Sequence, residues 1–130
     1  MLIYTRHMSN PNPKDIKYLG VPNVCFSLID ANDKRDELYA NQRIDRGFDD
    51  SETWSLSGTM ASFLLPRLIR FIKLDNSVRD AEFMEDLNNF RKLLELEIRD
   101  NGARNFTIEE KNTVSKGLKA FEKIFLLLWW

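Results

Sequence analysis

The sequence predicts an α+β fold, mostly α, in which a short N-terminal β-hairpin or strand pair packs on a three-helix bundle. Three observations carry that expectation. Two runs rich in β-branched and aromatic residues, 2–8 and 21–29, stand at the start. From Ser55 onward apolar residues recur at helical spacing. Thr107-Ile-Glu-Glu110 has the residue order of a capping box. With 130 residues, 43% of them hydrophobic, the chain can bury one core. A single domain is therefore expected over 1–130, with strands and an irregular connection in 1–50 and the bundle in 51–130.

The two strand runs, LIYTRHM and VPNVCFSLI, are separated by NPNPKD with its two Asn-Pro steps, and the second ends on the turn formers Asp30-Ala-Asn-Asp33. The segment 34–50, KRDELYANQRIDRGFDD, is charged and weakly periodic, so it reads as an irregular connection with one helical turn near 36–39. The first expected helix has Ser55 as N-cap and runs to about Leu74, where Asp75-Asn76-Ser77 supplies a stop and a fresh cap. A second helix is expected over 78–100, ending at Asn101-Gly102, with Phe83, Met84, Leu87, Phe90, Leu94 and Ile98 along one face. The third starts at the capping box and carries Val114, Leu118, Phe121, Phe125 and Leu128.

Projected at roughly 100° per residue, the 56–74 helix shows an apolar arc wider than a half-circle, which suits a central helix covered on most sides. Pro66 and Arg67 interrupt it. Proline removes one backbone donor, and a guanidinium inside an apolar arc must be paired or must snorkel outward. Two readings follow. In one, Arg67 forms a structural ion pair with the segment leading into the helix, through Asp49, Asp50 or Glu52. In the other, Arg67 and Arg70 face a cleft and bind an anionic group, with Trp54 stacking on a base.

The same stretch resembles a run found in small proteins of tailed bacteriophages. The pattern D-x-x-T-W-S-L-x-x-T-x-A-x-F-x-x-P-R-L-x-x-F is met by Asp50, Thr53, Trp54, Ser55, Leu56, Thr59, Ala61, Phe63, Pro66, Arg67, Leu68 and Phe71. Where such sequences often carry an acidic residue this chain has Ser57, which weakens any role for a carboxylate at the helix start. The resemblance covers about twenty-five residues. It implies a phage origin and brings no activity with it.

Composition narrows the function further. Nineteen basic and twenty acidic side chains leave a net charge of −1, so no global field draws the chain to nucleic acid or to anionic lipid. Nucleic-acid binding is not expected, because the lysines of the third helix are offset by Glu109, Glu110 and Glu122. No run approaches the ~20 apolar residues of a membrane span. Cys25 has no partner for an internal disulfide, His7 is the one histidine, and the five glycines are isolated, so no catalytic constellation, metal site, cofactor or phosphate loop is indicated. The acids Asp45, Asp49, Asp50 and Glu52 would suit a hard cation, but Arg43, Arg46 and Arg67 stand near enough in sequence to neutralise them.

What remains is a surplus of apolar residues. Leu93 and Leu96 fall off the second helix's stripe, and Leu127, Trp129 and Trp130 make the end of the third apolar all round. Such positions serve either the core or an interface. The leading expectation is a soluble, non-enzymatic interaction protein of phage origin in the host cytoplasm, binding a host protein or itself. A nucleotide-signal binder using Arg67, Arg70 and Trp54 is the first alternative. A metal-dependent enzyme using the 45–52 acids is the second.

Overall fold

The computed structural model describes residues 26–30, 32–74, 80–100 and 105–129. Among the described residues four α-helices follow one another: α1, Asp36–Arg46; α2, Leu56–Leu74; α3, Ala81–Asp100; and α4, Ile108–Ile124. A 3-10 turn, Asp50–Thr53, precedes α2, and a second, Phe125–Leu127, follows α4. Among the described residues there is no strand, which corrects the expected α+β class: what is described is all-helical. The first expected strand, 2–8, lies outside the described residues, and the second is described only from Phe26. There the chain makes no ladder. The Leu28 N–H donates to Ser51 Oγ at 2.8 Å and the Ile29 N–H to Ser27 Oγ at 3.3 Å, so hydroxyls take donors that a strand would give to a neighbour.

The 34–50 segment is corrected too, for it forms an eleven-residue helix. Asp36 and Glu37 lie in the first turn of α1 and Arg43 and Arg46 in its last, the charge order that favours the helix dipole. Gly47 closes it with φ +89°, its N–H donating to Arg43 O, a left-handed position glycine adopts without strain. Periodicity missed α1 because its buried side chains are Tyr39 and Arg43, and one of the pair is charged.

Contacts divide the chain into two compact units, Met1–Thr59 and Met60–Trp130. In the second, the core joins Ala61 and Leu68 of α2, Leu87, Phe90 and Leu94 of α3, and Ala120 and Ile124 of α4. Phe90 and Phe121 stack with ring centroids 4.7 Å apart. Helices α3 and α4 pack closely. At Gly117 an added Cβ would meet Leu93 Cβ at 2.4 Å and Asn89 O at 3.1 Å, so only a residue without a side chain permits this approach.

That approach rotates α4 away from the expected stripe. Its buried residues are Gly117, Ala120 and Ile124; of the expected stripe Phe121 and Leu128 pack half-buried against the core and Val114 is half-buried, while Leu118 and Phe125 are left exposed. It also covers α3 on a second side: Leu93 is half-buried and Leu96 buried, and Ile98 of the expected stripe is exposed. Nor is α2 covered on most sides. It buries only Ala61 and Leu68, with Leu64, Leu65, Phe71 and Ile72 partly buried, and leaves Leu56, Met60 and Phe63 exposed. Helix α3 begins later than expected, with Asp80 Oδ1 accepting the Phe83 N–H at 2.7 Å; the cap sought at 75–77 and the terminator at 101–102 lie outside the described residues. The box opening α4 is formed, with Thr107 Oγ1 accepting the Glu110 N–H and Glu110 accepting the Thr107 N–H.

Candidate functional site

Among the described residues of the first unit, the most heavily buried polar side chains form an ionic centre around Arg43 and Asp49. Arg43 points inward from α1 with no exposure and pairs with the carboxylate of Asp49, which is equally inaccessible. Asp49 also accepts the Ser51 N–H at 2.9 Å and the hydroxyls of Ser51 and Ser27, each at 2.5 Å. Arg43 Nη1 donates to Ser27 Oγ at 3.2 Å, and Nη2 lies 3.7 Å from Asp36 Oδ1. Nε and Nη2 have no hydrogen-bond partner among the described residues, so the guanidinium is held chiefly by charge and by one edge. Glu52 completes the arrangement by accepting the Asp49 N–H at 2.8 Å, which with the Asp49–Ser51 bond makes a capping box on the 3-10 turn that precedes the expected Ser55 cap.

The electrostatics follow from this packing. Burial pushes the Asp49 carboxyl up, but the hydroxyls of Ser27 and Ser51 and the Arg43 guanidinium outweigh it and hold the group below the ordinary value of 3.8. Burial dominates at Glu52 and lifts its carboxyl above the ordinary 4.5. Exposed Asp50 is lowered by its bond from Arg46, at 2.6 Å, with Gln42 Nε2 donating at 2.9 Å. Of the acids expected to pair with Arg67, Asp49 takes the guanidinium of Arg43, Asp50 takes that of Arg46, and Glu52 serves a backbone donor. With those carboxylates engaged, no group of three or more His, Cys, Asp or Glu side chains able to hold a metal occurs among the described residues.

Arg67 resolves its burial problem on its own helix. It is exposed, its Nη1 donates to Phe63 O at 2.6 Å, and its Cζ lies 3.9 Å from the centre of the Phe63 ring. Arg70 is exposed one turn on. Trp54, half exposed, belongs to the first unit, where the Arg35 guanidinium stands 5.1 Å from its ring centre and 5.6 Å from that of Tyr39. The face of Trp54 offered to a base is thus shared with a cation fixed by Asp33 at 3.0 Å.

Of the residues assigned to an interface, Leu93 and Leu96 pack inside the second unit, which corrects that assignment for both. Leu127 and Trp129 are exposed, and Trp130 lies outside the described residues. Beside them Phe125 and Leu126 are exposed, so 125, 126, 127 and 129 form one apolar run at the end of α4. Between α3 and α4 a cleft of about 470 Å³ is lined by Lys92, Glu95 and Arg99 on one side and Glu109, Glu110 and Thr113 on the other. Arg99 pairs with Glu110 there, and the mixed charges give it no single-sign field. No described helix is long and apolar enough to cross a membrane. Compared with known proteins, the chain matches no family model, no curated protein and no solved structure.

Sequence reasoning missed Arg43, Ser27 and Ser51 as a group. One signal was legible: Asp49-x-x-Glu52 is itself a capping-box pattern, and it marks Asp49 as an acceptor of backbone donors rather than a loose loop acid. Nothing local marked Ser27, which joins from twenty-two residues away.

Proposed function

We propose that the protein is a non-enzymatic interaction protein of phage origin, acting in the host cytoplasm by binding a host protein or a second copy of itself through the end of α4. One observation carries the reading: Phe125, Leu126, Leu127 and Trp129 are 58%, 82%, 48% and 71% exposed. A lone exposed leucine is ordinary, but four large apolar side chains exposed within five positions surround the end of α4 with apolar surface, and aromatic side chains are favoured at the centres of interfaces. The engaged carboxylates of the 49–52 segment support a binding role over metal chemistry.

Light scattering over a range of concentrations, paired with Leu126→Asp, tests it. A mass that rises with concentration in the parent chain and falls to the monomer in the variant is the expected result for self-association. For a host partner, a complex recovered from lysate by the parent and lost by Leu126→Asp is expected. A monomer at every concentration, with no partner sensitive to Leu126, overturns the reading. Both chains keep the same helical circular dichroism, because Leu126 contributes little to the core.

A further inference from the structure

We infer that the exposed stripe of α2 formed by Met60, Phe63, Arg67 and Arg70 is a docking face for an acidic amphipathic helix of another protein. This face is separate from the end of α4, and the inference does not rest on the reading given to that end.

The spacing comes first. Steps of three, four and three residues keep the four positions within an arc of about 80° and spread them over about 15 Å of axis, three turns of a partner helix. Met60 is 59% exposed and Phe63 48%, while Arg67 and Arg70 are exposed at the C-terminal end of the same stripe. The face therefore changes character along its length, from apolar to cationic. A helix whose own stripe changes from apolar to carboxylate matches it turn for turn.

Arg67 is also set in advance. Its Nη1 is committed to Phe63 O at 2.6 Å and its Cζ lies over the Phe63 ring, 3.9 Å from the centroid. The guanidinium is thus held at one place, Nε and Nη2 make no hydrogen bond among the described residues and can take a carboxylate, and little side-chain freedom is lost on binding. A phosphate or a nucleic-acid strand would satisfy the two arginines, but it would leave Met60 and the open part of Phe63 in water. The net charge of −1 gives a polyanion no long-range attraction either.

The test uses the full chain and a synthetic labelled peptide of about 18 residues, long enough to hold a helix, with leucines at two stripe positions and glutamates at the next two. Fluorescence anisotropy is expected to show saturable binding below about 1 mM. Arg67→Ala is expected to weaken it about tenfold, the loss of one charge-assisted contact. The Arg67→Glu, Arg70→Glu double variant is expected to reverse the preference, taking the same peptide with lysines in place of glutamates. These side chains are exposed, so unchanged circular dichroism and melting temperature confirm that each variant is folded. The inference is overturned if neither peptide binds, if the glutamate and lysine peptides bind the parent alike, or if the double variant keeps the parent's preference. It is equally overturned if a single-stranded oligonucleotide competes as well as the acidic peptide, which would mark a general anion site.

Discussion

At the scale of the residue, two arginines exchange the fates their sequence settings suggest. Arg67 sits among apolar neighbours and lies outside, resting on Phe63; Arg43 sits in a charged, weakly periodic segment and is wholly buried. A pattern built on apolar spacing sees the first and is blind to the second, because the side chain that α1 buries one turn after Tyr39 is itself charged. Removing one partner of a buried pair costs about 3–5 kcal/mol, since the other is left uncompensated. Asp49→Ala deprives the Arg43 guanidinium of its buried carboxylate and leaves it the Ser27 hydroxyl at 3.2 Å and Asp36 at 3.7 Å, whereas Arg43→Met leaves Asp49 with its serine donors. Urea denaturation is expected to show the larger loss for Asp49→Ala; equal losses would mean that the serine bonds contribute nothing. Glu52 gives a pH signature. Its folded value lies above 4.5, so its contribution to stability is present below 4.5 and is lost as pH rises through the folded value. Asp49 has the opposite sign, contributing above 3.8 and losing that contribution as pH falls through its lowered value. Glu52→Gln keeps an acceptor for the Asp49 N–H and removes the charge. The stability of the parent relative to this variant should therefore rise on acidification from pH 7 to about 4.5. Parallel profiles would show that Glu52 does not titrate abnormally.

At the scale of the element, helix starts were more legible than helix faces. Thr107 and Glu110 cap α4 as their spacing predicts, because a capping box is local chemistry within four residues. The buried face of α4 was legible only in part from large apolar residues: Phe121 and Leu128 do pack against the core. Leu118 and Phe125 satisfy the helical period as well as any core pair, yet the face that meets α3 is built on Gly117 and Ala120. Small residues admit a close approach, and the close approach then decides which large residues are covered. Gly117→Ala tests this directly. In an isolated helix the change would stabilise by about 1 kcal/mol. Here the new methyl would stand 2.4 Å from Leu93 Cβ, which is fixed to the α3 backbone and cannot swing away. A net loss of about 1–3 kcal/mol is expected from the overpacking. A gain would mean that α3 and α4 separate easily, and the rotated face would then need another cause.

At the scale of the whole molecule, the contacts divide the chain at Thr59 and Met60, inside the span of α2. No composition shift or linker marks that point, and the division was not legible, because it falls within one continuous helix, Leu56–Leu74. Among the described residues, the first unit buries Arg43, Asp49, Ser51 and Glu52 together with Ile29 and Tyr39, and the second buries an apolar cluster drawn from three helices together with Asp86 and Glu97. A substitution in the ionic centre should therefore act on one unit before the other. In Asp49→Ala, hydrogen exchange is expected to accelerate at the amides of α1 and of Asp50–Thr53, while those of α3 and α4 keep the protection they have in the parent chain. The comparison is made at a denaturant concentration well below the midpoint, where global unfolding does not mask the local event. If α1 and α3 lose protection together and by the same factor, the units unfold as one, and the ionic centre stabilises the entire chain. If α1 alone is affected, its stability is set by the Arg43–Asp49 pair, and the surfaces on α2 and α4 remain folded in a variant whose first unit has opened.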